Sequence, residues 1–324
     1  MIEQVLPDVY RIEIPLPNNP LKATNAYFIR GDKRNLLVDN GFNCDESRYA
    51  INEAIKQLNI RMETTDLFIT HLHSDHAGLT KYLATPETTV WMSQHDSEIV
   101  AASRASSHWI IFNEFVHLSG LAADGLEEDF KKHPGYKYAS EVFTDFVIVQ
   151  EGDVIEVGDY SFQCIWTPGH TPGHMCLYDP AQKILLSGDH ILGKITPNIT
   201  LWKPEEDVLG QYLESLDKIA GLNIDTVLPG HRYMLTDCQG RIEELRTHHL
   251  RRLENIMDII GDKTMHAAQV ASQMRWDLSY KDWQDFPWGQ KLFATGEAMS
   301  HLYHLHTTGE LDFSSFENIV YFNR

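Results

Sequence analysis

The sequence has little of what would point to a membrane or to an oxidising compartment. None of its 324 residues falls in an apolar run of about 18 or more, which argues against a membrane-spanning helix. The first residues form neither a basic nor an apolar segment of the signal-peptide type. The four cysteines, Cys44, Cys164, Cys176 and Cys238, are far apart and form no C-x-x-C pair, which is usual for thiols in a reducing compartment. We therefore predict a cytoplasmic protein.

Basic residues are also scarce. Lysine and arginine together number 27 against 46 aspartate and glutamate residues, which gives a formal net charge of -19. A surface this acidic repels phosphate backbones unless a local basic patch stands out, so nucleic acid is a disfavoured partner and we expect a small-molecule substrate. Divalent metals bound at a site would offset part of this charge, which leaves an anionic substrate open. The sequence does not fix the oligomeric state, and a homodimer stays open.

The apolar pattern of the first part of the chain predicts short strands and a helix. Strands are expected at 9–14, 25–29 and 35–38, and apolar residues at helical spacing cover 48–58. A short buried strand then covers 66–70. No internal repeat or low-complexity linker interrupts the chain. Strands and helices joined by short connections favour a layered α/β architecture.

The region 95–140 differs from this pattern. It is helical in character, rich in aromatic and histidine residues, and interrupts a β-rich stretch. We therefore interpret it as an insertion that covers a site, with Trp109 and Phe112 as candidate substrate contacts. Further along, a helix is predicted at 204–220, with proline in its first turn.

The C-terminal part becomes mainly helical from about residue 236. A helix is predicted at 265–274 and a terminal hairpin at 312–322. The pair Arg251–Arg252 is interpreted as solvated helix surface. The change to a mainly helical pattern divides the chain into a catalytic domain, residues 1–235, and a smaller C-terminal domain, residues 236–324.

The strongest pattern is His71-x-His73-x-Asp75-His76, which directly follows the buried strand at 66–70. Imidazole and carboxylate groups so close together are typical metal ligands. Side chains two apart at a strand end share a face, so His71 and His73 can serve one metal. Asp75 and His76 begin the next turn and point elsewhere, so the segment can serve a second metal as well.

Three more strands end in a candidate ligand, which predicts one site at a sheet edge built from four segments. The loop 167–174 contains His170 and His174, Asp189 follows the apolar residues 184–186, and His231 follows a third strand. Imidazoles and carboxylates without thiolates suit zinc, and also manganese or iron. We expect two divalent ions, with zinc as the first choice.

These motifs together resemble the metallo-β-lactamase superfamily over roughly residues 1–235. The resemblance implies an α/β fold, a four-layered αβ/βα sandwich with the metals at one edge. The C-terminal part resembles the winged-helix extension of the branch that contains lactamase-β-like endoribonucleases and glyoxalase-II-like hydrolases. Residues 236–324 nevertheless contain more acidic than basic residues, so we expect a lid or dimerisation module there.

The resemblance also implies a role for each site residue. His71, His73 and His170 would bind the first metal, Asp75, His76 and His231 the second, and Asp189 would bridge both. His174 is expected to support the ligands or to pack behind them, and His190 to be structural or to face the substrate, and neither is expected to bind metal. Apart from the resemblance, Lys194, five residues after Asp189, is a candidate for holding a carboxylate or phosphate of the substrate, and a plain surface lysine is the alternative.

The implied reaction is hydrolysis by a metal-bridging hydroxide, with Asp75 orienting it and passing a proton to the leaving group. A thioester or ester of a small organic acid, as in hydroxyacylglutathione hydrolases, is the first expectation. A single-strand endoribonuclease or other phosphodiesterase is the alternative, favoured by the family branch and disfavoured by the net charge.

Weaker alternatives stay open. Quorum-signal lactonases have tyrosine at the position of Leu192, and an antibiotic β-lactamase would need a secretory signal. Flavodiiron oxidoreductases have glutamate at the position of His73. An iron-dependent sulfur dioxygenase would share His71 and His170, and a sensor that binds metal without useful turnover is the non-enzymatic alternative.

Overall fold

The structure is a computed structural model that describes residues 1–102, 114–121, 134–141, 143–203, 205–277, 280 and 282–324. A seven-stranded sheet forms from the first half of the chain in the order β1-β2-β3-β4-β5-β6-β7. Its strands are β1 (Ile2–Leu6), β2 (Val9–Pro15), β3 (Ala23–Ile29), β4 (Asn35–Val38), β5 (Thr65–Phe68), β6 (Val90–Ser93) and β7 (Phe146–Val149). The pairs from β1 to β4 are antiparallel and those from β4 to β7 are parallel.

A five-stranded sheet forms from the second half, in the order β12-β11-β10-β9-β8. Its strands are β8 (Val154–Val157), β9 (Tyr160–Trp166), β10 (Met175–Asp179), β11 (Ile184–Gly188) and β12 (Thr226–Pro229). Only the pair of β11 and β12 is parallel, because helix α6 (Val208–Ala220) connects these two strands.

The two sheets pack face to face, and helices cover both outer faces. Phe68 of β5 and Phe162 of β9 belong to the apolar layer between the sheets. On the outside of the first sheet, Ile51 of helix α1 (Asp45–Gln57) joins a second apolar cluster. On the outside of the second sheet, α6 buries Leu216. The predicted four-layered α/β sandwich is therefore confirmed.

Short helices occupy the connections around the sheet edge. They are α2 (Ser74–Ala77), α3 (Thr80–Leu83), α4 (Gln94–Ala102) and α5 (Pro134–Lys137). In the predicted insertion, residues 114–118 are also helical, and Trp109 and Phe112 lie outside the described residues. Within the described part of the chain, no helix combines the length and apolar character needed to cross a membrane.

The C-terminal part contains helices and a small antiparallel sheet. The helices are α7 (Cys238–Ile260), α8 (Ala267–Ala271) and α9 (Trp288–Thr307), and the strands β13 (Met265–His266), β14 (Asp312–Phe316) and β15 (Ile319–Asn323) pair in the order β13-β15-β14. Ile242 of α7 and Leu302 of α9 share one apolar cluster with Leu185 of the second sheet. The C-terminal helices thus continue the outer helical layer of the sandwich. The winged-helix assignment stays a prediction.

Several local predictions were wrong or incomplete. The segment predicted as a helix at 265–274 begins with strand β13, because Met265 and His266 pair with β15 across a long separation in sequence. Helix α6 begins at Val208, where Asp207 caps it, rather than at residue 204. Strands β1 and β6 were not anticipated, since each is short and shows no clear alternation.

Asp207 connects helix α6 with helix α9. Its Oδ1 accepts the backbone N–H of Gly210 at 2.8 Å and a ring N–H from Nδ1 of His304 at 2.9 Å. Burial raises the pKa of this carboxyl, but the hydrogen bonds from His304 and Gly210 outweigh burial and lower the pKa below its ordinary value. The carboxylate is therefore both a helix cap and an anchor for the C-terminal part.

Replacing Asp207 by alanine is expected to destabilise the fold by about 1–2 kcal/mol, because the cap and the bond to His304 are lost. The lowered pKa means that the carboxylate stabilises the folded state above pH ~4 and loses this effect as the pH falls through the folded-state pKa. Urea denaturation at several pH values measures both effects. Asp237→Ala is the matched control, because Asp237 caps α7 and none of the histidines that the structure describes bonds to it. An equal loss in the two variants would contradict the anchoring role.

Candidate metal centre

Four strand ends meet at one edge of the sandwich. The segment after β5 carries His71 to His76, and the ends of β9, β11 and β12 lead to His170, Asp189 and His231 respectively. All seven predicted ligands come together there: His71, His73, Asp75, His76, His170, Asp189 and His231. His73 and Asp75 are half-buried and the other five are buried, so the cluster opens to solvent on the side of these two residues.

Three imidazoles form the first group. His73 Nδ1 lies 3.1 Å from His71 Nε2 and 2.9 Å from His170 Nε2. The Nδ1–H of His71 donates to Thr70 Oγ1 at 3.0 Å, and the Nδ1–H of His170 donates to the carbonyl of Asn198 at 2.8 Å. These bonds fix the tautomers, so two unprotonated Nε2 atoms face His73.

The pKa values of this group favour the neutral rings. Burial lowers the pKa of His73 to about 3, with His170 adding to the effect. Burial likewise lowers the pKa of His71 well below its ordinary value and lowers that of His170. The neutral ring is the form in which histidine binds a metal, so three neutral imidazoles whose nitrogens meet at one place fit a metal cation.

The second group contains two imidazoles and a carboxylate. His76 Nε2 lies 3.3 Å from His231 Nε2, and Asp75 Oδ2 lies 3.4 Å from His231 Nε2. Behind them, the Nδ1–H of His76 donates to Asp39 at 2.7 Å, and the Nδ1–H of His231 donates to the carbonyl of Ala23 at 2.7 Å. Again the Nε2 atoms are turned toward the cluster.

Asp189 lies between the two groups. Its Oδ2 is 3.7 Å from His170 Nε2 and 3.3 Å from His231 Nε2, and its Oδ1 is 3.5 Å from His76 Nε2. Gly230 permits this arrangement, because a Cβ at that position would lie 2.6 Å from Asp189 Oδ1. One carboxylate thus contacts both groups, which is the geometry expected of a bridging ligand.

Negative charge dominates the second group. Burial opposes the protonation of His76, but Asp189, Asp39 and Asp75 outweigh it and raise the pKa of His76 well above its ordinary value. Burial also opposes protonation of His231, but Asp189 and Asp75 raise its pKa to about 9. The carboxylates therefore favour a positive charge in the second group, whether on a protonated ring or on a bound cation.

The residues present fit two divalent ions. The first three imidazoles supply one nitrogen set, Asp75, His76 and His231 supply a mixed set, and Asp189 reaches both. Nitrogen and carboxylate oxygen donors without thiolate suit zinc, iron or manganese. The donor set and its charge agree with a dinuclear site.

His174 and His190 lie behind the cluster. His174 Nε2 accepts the backbone N–H of Asp189 at 3.1 Å, so His174 holds the backbone of the bridging candidate rather than facing the metals. The ring of His190 packs edge-on against Tyr212, with centroids 5.2 Å apart. The structure thus places both histidines behind the candidate ligands, and their supporting role stays a prediction.

Lys194 is the candidate substrate contact that the structure describes. Lys194 is exposed, with Nζ 5.4 Å from the ring centroid of Tyr233, and it is not part of the metal-ligand groups. An aromatic residue that the sequence did not single out lies closer: the ring of Trp202 is 6.0 Å from that of His73, and its Nε1–H donates to the carbonyl of His170. Trp202 thus borders the open side of the cluster.

Two buried carboxylates behind the cluster also escaped the sequence reasoning. Asp39 directly follows β4 and accepts hydrogen bonds from His76 and from the backbone N–H and hydroxyl of Thr70. Asp96 in α4 accepts from the backbone N–H groups of Leu72 and Gly173, at 2.8 and 2.7 Å, and from the hydroxyl of Thr171. Asp39 could have been found because it too ends a strand, whereas nothing local marks Asp96.

Asp96→Ala is expected to destabilise the fold by about 2–4 kcal/mol and to weaken metal retention, because three donors, two of them in buried hydrogen bonds, lose their acceptor and two ligand loops lose their connection. Thermal denaturation and the metal content after dialysis measure these effects. Glu98→Ala, an exposed position in the same helix, is the control. Metal content equal to wild type would show that Asp96 serves stability alone.

Comparison with known proteins agrees with this geometry. The family model described as the metallo-beta-lactamase superfamily matches residues 19–231. A beta-lactamase-like protein 2 homolog of Caenorhabditis elegans is 26% identical over 324 residues, which cover 98% of this chain and 90% of that protein. An atrochrysone carboxyl ACP thioesterase of Emericella nidulans is 22% identical, and the match covers 83% of this chain and 71% of that protein.

A solved structure shows a similar fold over the whole chain. The crystal structure of a metallo-beta-lactamase family protein from Thermus thermophilus superposes with a TM-score of 0.83 at 26% identity. The superposition covers 99% of this chain and all of that chain. The similarity therefore includes the C-terminal helices as well as the sandwich.

Proposed function

Because this chain belongs to the metallo-β-lactamase superfamily, we propose that it is a dinuclear zinc-dependent hydrolase that cleaves a thioester or ester of a small organic acid. The main support is the bridging position of Asp189 between an imidazole group and a mixed group. The thioester preference is supported by the similarity to the fungal ACP thioesterase. A cytoplasmic location remains a prediction, in keeping with four free cysteines.

Two divalent ions would supply Lewis acidity and lower the pKa of water at the site. His71, His73 and His170 would hold one ion, and Asp75, His76 and His231 the other. Thioester hydrolysis consumes one water: the carbonyl carbon gains a C–O bond, the C–S bond breaks, one proton of the water passes to the leaving sulfur, and a carboxylate, a thiol and the second proton leave.

Asp75 is placed to handle the proton in this reaction. It is half-buried on the open side, and burial raises its pKa, but His76 and His231 outweigh burial and lower the pKa to about 2. Its carboxylate is therefore ionised at neutral pH, and because Oδ2 faces His231 and the position of the second ion, the other oxygen is the one left to accept a proton. The backbone around it is held by α2, which begins directly after His73.

Asp189→Ala is expected to reduce the metal content from about two ions per chain to one or fewer, because both groups lose a shared ligand. Elemental analysis of the folded protein measures the content, and circular dichroism checks the fold. Asp225→Ala is the matched control, since Asp225 is an exposed carboxylate beside β12. Two ions retained in Asp189→Ala would refute the bridging role.

The reaction class is tested with protein of measured zinc content on a panel of substrates. The panel contains S-acetyl-N-acetylcysteamine, S-lactoylglutathione, a short-chain lactone, bis(p-nitrophenyl) phosphate and a short single-stranded RNA. We expect the thioesters to be cleaved fastest, with no turnover after chelation of the metals. Preferred cleavage of RNA or of the phosphodiester would favour the nuclease alternative, and metal-loaded protein that cleaves none would favour a sensor.

A further inference from the structure

A second feature of the molecule is a cleft of about 860 Å³ between helix α7 and the loop that follows Asp189. Its walls carry cationic side chains from three parts of the chain. These are Lys194 in the loop, Arg241, Arg251 and Arg252 on α7, and Arg275 after α8, with Thr196 beside Lys194. Such a concentration is unexpected in a chain with 46 acidic and 27 basic residues.

Two of these arginines are already paired. Arg241 contacts Glu244 at 2.6 Å and also donates to the carbonyls of Leu192 and Ile195. Arg252 contacts Glu297 at 3.2 Å and stacks on Trp276. Both are therefore held in fixed positions and form the floor of the cleft.

The remaining three cations are free to bind a ligand. Lys194, Arg251 and Arg275 are exposed, and none of them has an acidic partner within the ranges that the structure describes. Glu243, the other acid beside the cleft, is engaged by Arg246. The cleft thus holds uncompensated positive charge. Arg251 is exposed to the cleft, whereas the side chain of Arg252 is mostly buried. The interpretation of this pair as solvated helix surface was wrong for Arg252.

A metal is not the expected occupant of this region. His248, His249 and Glu297 have the spacing of metal ligands. The guanidinium of Arg252, however, already lies among them, with Nε 2.8 Å from His248 Nε2 and 3.2 Å from Glu297 Oε1. A cation therefore occupies the position already, and the open cleft is left with a preference for anions.

The cleft lies close to the metal centre because one loop forms part of both. Residues 189–198 start at the bridging candidate Asp189 and end at Asn198, whose carbonyl accepts from His170. Lys194 is five residues from Asp189, so its Cα lies within ~18 Å of that of Asp189. Thr196 is two residues from Asn198 and within ~7 Å of it. A substrate of moderate length can therefore reach both places at once.

We propose that this cleft binds the phosphate groups on the thiol carrier of the thioester substrate, a phosphopantetheine-type thiol such as coenzyme A. The inference rests on the proposed thioester hydrolysis and extends it by naming the class of leaving group. Arginine and lysine match phosphate oxygens in charge and geometry, and arginine does so with two parallel hydrogen bonds. Three uncompensated cations suit a carrier with several phosphate charges, and the formal net charge of -19 over the whole chain disfavours a long polynucleotide.

The test compares substrates that share an acetyl group and differ in the thiol: acetyl-coenzyme A, acetyl-4′-phosphopantetheine and S-acetyl-N-acetylcysteamine. In the variant Arg251→Gln/Arg275→Gln, we expect KM for acetyl-coenzyme A to rise about tenfold, with kcat and the hydrolysis of the phosphate-free thioester unchanged. An equal rise for acetyl-4′-phosphopantetheine would assign the cations to the pantetheine phosphate. A rise confined to acetyl-coenzyme A would assign them to the nucleotide phosphates.

The matched control is Lys33→Gln/Arg61→Gln, which removes two exposed charges that precede strands β4 and β5 and should change no KM. An unchanged KM for acetyl-coenzyme A in the cleft variant, with the phosphate-free thioester still cleaved, would overturn the cleft assignment and leave the thioester hydrolase standing.

Equilibrium binding separates the two proposals if no thioester is cleaved. Coenzyme A is titrated into the zinc-loaded protein by calorimetry. The cleft assignment is supported, even where thioester hydrolysis fails, by one result: the affinity for coenzyme A falls about tenfold or more in Arg251→Gln/Arg275→Gln and is unchanged in the control variant. No binding of coenzyme A, or binding only of an eight-nucleotide single-stranded RNA, would overturn it.

Discussion

Holding imidazole nitrogens and buried carboxylates in close contact is costly unless positive charge, from a bound cation or a protonated ring, compensates the carboxylates, and the site is built on this constraint. His73 Nδ1 lies 2.9 Å from His170 Nε2, and His76 Nε2 lies 3.3 Å from His231 Nε2. Four strand ends are needed to gather such a set, and the two sheets supply them at one edge. The sandwich thus keeps together groups that would separate in water.

The groups behind the candidate ligands fix the orientation and the tautomer of the ligand rings. Thr70, Asp39 and the carbonyl of Asn198 each accept from a ligand ring and so determine which nitrogen faces the centre. Asp96 connects two ligand loops through three hydrogen bonds. None of these supporting groups is a candidate metal ligand. Their buried hydrogen bonds stabilise the fold and at the same time hold the candidate ligands in place.

Much of this could be predicted from the sequence, because the ligands occur in short motifs at strand ends. His71 to His76 lie in one segment, and His170, Asp189 and His231 each follow an apolar run. Asp96 could not be found, because its partners are distant in sequence and its role comes from tertiary packing. Arg252 was misjudged for the same reason: a charged residue on a helix looks solvated until Trp276 and Glu297 are placed beside it.

The loop 189–198 has both ends at the metal cluster and its middle in the basic cleft. Its conformation is therefore shared by two binding events. By thermodynamic reciprocity, whatever factor metal loading adds to the affinity of an anion in the cleft, the anion adds to the affinity of the metals. A shared loop conformation that favours both ligands would make the anion affinity of the cleft rise with the metal content of the protein.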